Sequence, residues 1–507
     1  MTINPTQVGW RIGRSLQPRG VDLWCRYDRT TGVFGAQGSG KTLDLLAPAL
    51  LAHDGPALAT LTKLDDLLLT APRRHQPADH GSPQRPVTVL DPFGAAAEYF
   101  PELVWDPVAG CVDPKIAERR AKAFAAGTIT GAVSGGRADN AARFYAAETA
   151  KVLQCFLHAA ALTGRDIQDV LGWVANPVAA EQPAEILRQH TYAARFWDGL
   201  LDGALHGSAD TVGNTVTTVQ QAMALFFQPD IRARCTPRPG RPATDIAALI
   251  RAGGTVYLLG REDPYASAAP LMTAVAEQVL DTALALATES PHGRLAPCFL
   301  ACLDELPSTT PLPTLRVRMA NERALGLSFI YAAQTWKQMV VSYGEDEARS
   351  LFGLTNNLII FGGGKDIHFY REISDLLDNV RISRQSINDG PGGVATTRSG
   401  EDVRVLRPGD IRRIPERQAL LIAGTAPPII ARLRRCLDGT DGRALADQLA
   451  ATRIEVARHR GTRPTAEQTT RQALTYARDH RLAVPASPDE RPVGTVTRSE
   501  QGWDWGR

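Results

Sequence analysis

The sequence predicts an α/β protein with a mainly parallel sheet, interrupted by an all-helical segment. Three observations predict it. Short β-rich runs ending in Gly or Asp recur along the chain, helical segments separate several of them, and the runs lack the strict alternation of half-exposed strands. The runs are "TGVFG" (31–35), "PALATL" (56–61), "PVTVLD" (86–91), "GTVYLLG" (254–260), "CFLACLDE" (298–305), "GLSFIYAAQ" (326–334), "NNLIIFGGG" (356–364) and "QALLIAG" (418–424). Strands apolar on both sides belong in a sheet covered on both faces.

Between residues 111 and 249 the pattern changes to one of helices. "FYAAETAKVLQCFLHAAAL" sets Val152, Cys155, Phe156 and Ala159 at helical spacing, and "AEILRQHTYAARFWDGLLDGAL" and "SADTVGNTVTTVQQAMALFF" continue in the same manner. The predicted organisation is a nucleotide-binding domain at 1–110 and 250–435, an inserted all-α domain at 111–249, and a basic tail at 436–507. That tail is expected to be largely disordered, with one helix candidate in "AEQTTRQALTYARDHRLAV".

At 507 residues the chain can bury a sizeable core. Fifty-six Lys and Arg against fifty-four Asp and Glu give a formal charge of +2, so a polyanion would have to be met by local patches. Seven cysteines form no CxxC pair, which fits a reduced cytosol. The stretch "LMTAVAEQVLDTALALAT" is interrupted by Glu277 and Asp281, and no membrane span is expected.

The strongest motif is "GAQGSGKT": Gly35, Ala36, Gln37, Gly38, Ser39, Gly40, Lys41 and Thr42. It follows a strand and opens a helix, as a P-loop must. Its glycines let backbone N–H groups close around a β-phosphate, Lys41 can reach the β- and γ-phosphates, and the Thr42 hydroxyl can ligate Mg²⁺. Two strands end in acids, at Asp91 and at Asp304–Glu305. Pro92 and Gly94 mark Asp91 as a turn former. The doublet suits hydrolysis: Asp304 for the magnesium and Glu305 to polarise water. Gln334 closes the following strand, where ligands sit in open α/β sheets. This order describes a RecA/AAA-type motor, in which a neighbouring subunit supplies an arginine. Arg316, Arg318 and Arg323 in "TLRVRMANERALG" are the candidates.

The segments "LTKLDDLL", "VTVLDPFG", "FLACLDELPSTTPLPTL", "YAAQTWKQM" and "VLRPGDIRRIPERQALLIAGTAPPIIARL", with the P-loop, resemble the VirD4/TraG/TraD coupling proteins of type IV secretion, including their TraM-recognition region. The resemblance covers roughly residues 20–435. It implies a hexameric ATPase, with ATP and Mg²⁺, that recruits a relaxase–DNA complex and feeds single-stranded DNA toward a membrane channel. Carried over by position, it implies Asp304 and Glu305 as the acid pair and Gln334 as the strand-end glutamine; Arg323, nineteen residues after Asp304, is the choice for the trans-acting arginine, with Arg318 equally able to be presented by that helix. The family usually carries transmembrane helices ahead of the P-loop, and here 34 residues precede Gly35. The expectation is a cytoplasmic chain, either held at the inner face of the membrane by another subunit or a soluble relative. A nucleotide-gated adaptor for protein cargo and a helicase-like ATPase of a mobile element are the competing readings. DNA contacts are expected along the phosphate backbone, with "FGGGKDIHFYR" and "IRARCTPRPGRP" of suitable composition.

Overall fold

Apolar residues at successive positions of one strand can all be buried only if both faces of the sheet are covered, and that is how the chain folds. The computed structural model describes residues 5–77, 83–129, 138–260, 267–390 and 393–461. Its strands are β1 (Gly9–Ser15), β2 (Asp22–Arg26), β3 (Thr31–Phe34), β4 (Ala57–Leu61), β5 (Val87–Leu90), β6 (Thr255–Leu259), β7 (Phe299–Leu303), β8 (Leu327–Ala333), β9 (Asn357–Phe361), β10 (Asn379–Gly390), β11 (Gly393–Arg404), β12 (Gln418–Ala423) and β13 (Ile429–Leu433). Eleven of them form one sheet in the order β2-β1-β13-β12-β9-β3-β8-β7-β4-β6-β5. From β9 to β5 every pairing is parallel, and from β9 to β2 every pairing is antiparallel. All eight runs read as strands from the sequence lie in this sheet.

Neighbouring residues on the parallel strands feed opposite cores. Phe299, Ala301, Leu303, Phe329, Tyr331 and Ala333 join one, while Leu300, Cys302, Ile330 and Ala332 join the other. The first core includes the helical block, the second the helices Thr42–Ala52 and Leu64–Arg74. In the block, the helix Ala138–Leu162 buries Val152, Cys155, Phe156 and Ala159 completely, on the face its spacing defines. The helix Pro114–Thr128 packs between it and Ala269–Glu289. At that crossing Gly127 is required: a Cβ there would lie 2.3 Å from the Pro270 nitrogen. Ala269–Glu289 is long and apolar enough to cross a membrane, but 67% of its most apolar window is buried inside the fold.

Six elements differ from the sequence expectation. β1, β2 and β13 extend the antiparallel side, and β10 and β11 pair as a separate ribbon. Residues 439–461, assigned to a largely disordered tail, form the helix Gly439–Gly461. The tail's own helix candidate lies outside the described residues. Residues Met1–Glu455 form one compact unit, and the second, Val456–Arg507, is described only through the end of that helix.

Candidate active site

β3, β8 and β7 run side by side and in parallel, so the loops leaving their C-terminal ends meet at one edge of the sheet. β3 leads into the P-loop, in which Gly38 and Gly40 take positive φ of 77° and 96°, open to glycine at little cost. The loop ends in the helix Thr42–Ala52, whose first turn is widened, with bonds of π type over Thr42–Leu46. β7 delivers Asp304 and Glu305, and β8 delivers Gln334. The three side chains line one cavity of about 440 Å³ with residues 37–43, Thr62, Lys63, Asp66, Ser308 and Arg435.

The contacts inside are specific. The Thr42 hydroxyl donates to Asp304 Oδ2 at 2.8 Å. Lys41 Nζ donates to the Gly35 carbonyl at 2.6 Å and lies 3.4 Å from Glu305 Oε1. Thr60 on β4 and Thr309 both donate to the Asp304 carbonyl at 3.0 Å, fixing the turn after β7. Glu305 occupies the left-handed region at φ 49°, which aims its carboxylate back at Lys41. Burial raises the pKa of Glu305 above the usual carboxylate range; Lys41 opposes this by its charge, Asp304 reinforces it, and a Gln334 hydrogen bond opposes it. Burial likewise raises Asp304, against the hydrogen bond from Thr42 and the charge of Lys41. Asp66 is pushed up to about 6 by burial and by the charge of Asp304.

A nucleotide and its magnesium fit this set. Glu305 Oε2 and Ser39 Oγ are buried without a hydrogen-bond partner, and Lys41 is turned onto loop carbonyls that compete poorly with a phosphate. Thr42 and Asp304 supply two hard oxygens side by side.

The structure thus brings Gly35–Thr42, Asp304, Glu305 and Gln334 together. Arg323 is elsewhere: it precedes the N-terminal end of β8, at the opposite edge of the sheet, and donates to Asn356 Oδ1 at 2.7 Å. Arg318 is 3% exposed and bound to Glu277, Asp281 and Glu322. Burial works against its charge, but the three carboxylates more than offset this and hold its pKa above the ordinary value. Arg316 pairs with Glu347 on the surface. Asp91 turns its carboxylate onto the backbone N–H groups of Ala95 and Ala96, at 3.0 and 2.7 Å. In the Pro-rich basic segment, Arg234 and Arg241 are held by Glu102.

Sequence reasoning passed over Lys63, Asp66 and Arg435. The first two lie in "LTKLDDLL", whose distinctive pattern was the available signal. Arg435 has none, because it reaches the cavity from beyond β13.

The strand order around β3, with the acid pair one strand removed from the P-loop strand, defines a P-loop NTPase of RecA type. Residues 299–416 match the family model of the TraM recognition site of TraD and TraG. The fold is shared with the bacterial conjugative coupling protein TrwB. An unbound monoclinic form of TrwBdeltaN70 superposes with a TM-score of 0.58 at 19% identity, over 82% of this chain and 87% of that one. TrwB with the non-hydrolysable GTP analogue GDPNP gives 0.57 at 20% identity, over 80% and 86%. TrwB with ADP and Mg²⁺ gives 0.56 at 17%, over 81% and 86%. No curated protein matches the chain. These findings bear out the resemblance read from the motifs.

Proposed function

We propose that this chain is the ATP-hydrolysing coupling motor of a conjugative transfer system, acting on DNA. The observation that carries the reading is Glu305: a part-buried carboxylate whose Oε2 is buried without a hydrogen-bond partner, beside Lys41 and within hydrogen-bonding reach of Gln334. That is a base placed where a water would meet a terminal phosphate. ATP is the substrate. Lys41 and the loop N–H groups hold its β- and γ-phosphates, and Thr42 and Asp304 hold Mg²⁺. When bound, the metal supplies charge neutralisation at the phosphate oxygens. Glu305 takes the proton from the attacking water, and its raised pKa makes it a stronger base than an ordinary carboxylate. Gln334 orients that water and senses the phosphate it attacks.

Arg323 cannot reach the site of its own chain, so its role as the trans-acting arginine requires a neighbour, as in a homo-hexameric ring. The match at 299–416 supports a partner protein recognised through that region, and a single-stranded DNA cargo gripped by its backbone is what the family resemblance implies. The secretion channel would then be a partner, with this chain at the cytoplasmic face of the membrane.

The test is steady-state ATP turnover against protein concentration, with and without single-stranded DNA. The expected result is turnover that rises with assembly and with DNA. Turnover indifferent to DNA at every concentration would contradict the motor and leave a nucleotide-gated adaptor for protein cargo.

A further inference from the structure

The link between β13 and the helix Gly439–Gly461 crosses the start of the P-loop helix. Cys436 N donates to the Leu43 carbonyl at 3.0 Å. One residue earlier, Arg435 Nε donates to Asp44 Oδ1 at 2.8 Å, and its Nη2 reaches Asp44 Oδ2 at 3.4 Å. The Asp44 side chain is fully buried, whereas Arg435 keeps 34% of its side chain exposed. Asp44 therefore fixes the guanidinium, and the accessible part of the fork lines the cavity that holds the P-loop and Glu305. The approach is close: a Cβ on Gly40 would lie 3.3 Å from Arg435 Nη2.

The cavity has two ends. Glu305 and Gln334 mark the end of the terminal phosphate. Gly40 and Leu43 belong to the part of the cradle whose N–H groups face the α- and β-phosphates. Arg435 lies at that second end, with its Nη1 donors and one Nη2 donor left over by Asp44. A planar, permanently charged fork is the group suited to phosphate oxygens there.

We propose that Arg435 is a nucleotide-binding residue supplied in cis, gripping the α/β side of the phosphate chain, with Asp44 as its positioning residue. The inference rests on the reading of this cavity as a triphosphate site. It concerns a task separate from that of the trans-acting arginine, because it serves ADP and ATP alike.

The test is equilibrium binding of ADP and of ATP, each with Mg²⁺, to the full chain and to Arg435→Gln and Arg435→Lys. Arg435→Gln is expected to weaken both nucleotides by about 10- to 100-fold, the range of a charge-assisted contact. Arg435→Lys is expected to recover part of the loss, which a purely structural role would not produce. ADP affinity unchanged in Arg435→Gln overturns the proposal. A wild-type chain that binds neither nucleotide overturns the triphosphate site itself, and Arg435 with it. A second measurement needs no variant: ADP should slow amide exchange across residues 433–438 as well as in the P-loop. Slowing confined to the P-loop overturns the proposal.

Discussion

Glu305 holds a left-handed backbone that costs a residue with a Cβ about 1–2 kcal/mol. The strain persists because Thr60 and Thr309 hold the preceding carbonyl and Lys41 receives the carboxylate. Lys41 and Gln334 should separate by kinetics. Lys41→Ala is expected to weaken ATP binding at least 10-fold in an equilibrium titration, since it removes a charged grip on the phosphates. Gln334→Ala is expected to lower kcat about 10- to 100-fold while leaving affinity within a few-fold, because its amide acts on the reacting water and the phosphate under attack, while Lys41 and the loop N–H groups carry most of the binding. The motif residues were legible in the sequence, since a P-loop and a strand-end acid pair are local patterns. The arginines were not. Nothing in "TLRVRMANERALG" distinguishes Arg318, neutralised by acids about forty positions earlier, from Arg323, whose Nε is buried without a partner. Arg318→Ala should therefore destabilise the fold by about 3–5 kcal/mol in urea unfolding, as expected when a buried charge cluster loses one member.

At the scale of elements, the site depends on where the P-loop helix ends. Arg74, fully buried at the end of its own helix, donates to the carbonyls of Leu50, His53 and Gly55 and to Thr255. His53 closes the same junction, with Nε2 3.0 Å from the Cys298 carbonyl. Burial and the nearby Arg74 charge lower its pKa to about 3. A histidine depressed in the folded state contributes stability that is complete above its ordinary pKa of about 6.5. That stability is lost as pH falls, because the unfolded chain takes up the proton first. Unfolding free energy should drop by about 1.4 kcal/mol per pH unit below 6 through this residue. His53→Gln should flatten that slope between pH 7 and 5; an unaltered slope would contradict the assignment. The central strands were legible because burial on both faces leaves continuous apolar runs. β1, β2 and β13 carry arginines and aspartates on their half-exposed faces, as "GWRIGRS" does, and so lack such a run. The helix Gly439–Gly461 has almost no apolar face, so its periodicity gave no signal.

For the molecule as a whole, the sheet order carries the functional argument. It sets the P-loop, the acid pair and the strand-end glutamine at one edge, and Arg323 at the other, so the trans role proposed for Arg323 requires a second copy. Arg323→Ala is accordingly expected to leave nucleotide affinity unchanged and to abolish the rise of turnover with protein concentration. The most direct measurement of the central claim is single-turnover hydrolysis of saturating ATP by Glu305→Gln, with binding followed in the same samples. ATP is expected to bind within a few-fold of wild type while the chemical step slows at least 100-fold. Hydrolysis that survives this substitution would show that the water is activated elsewhere, and would contradict the site described.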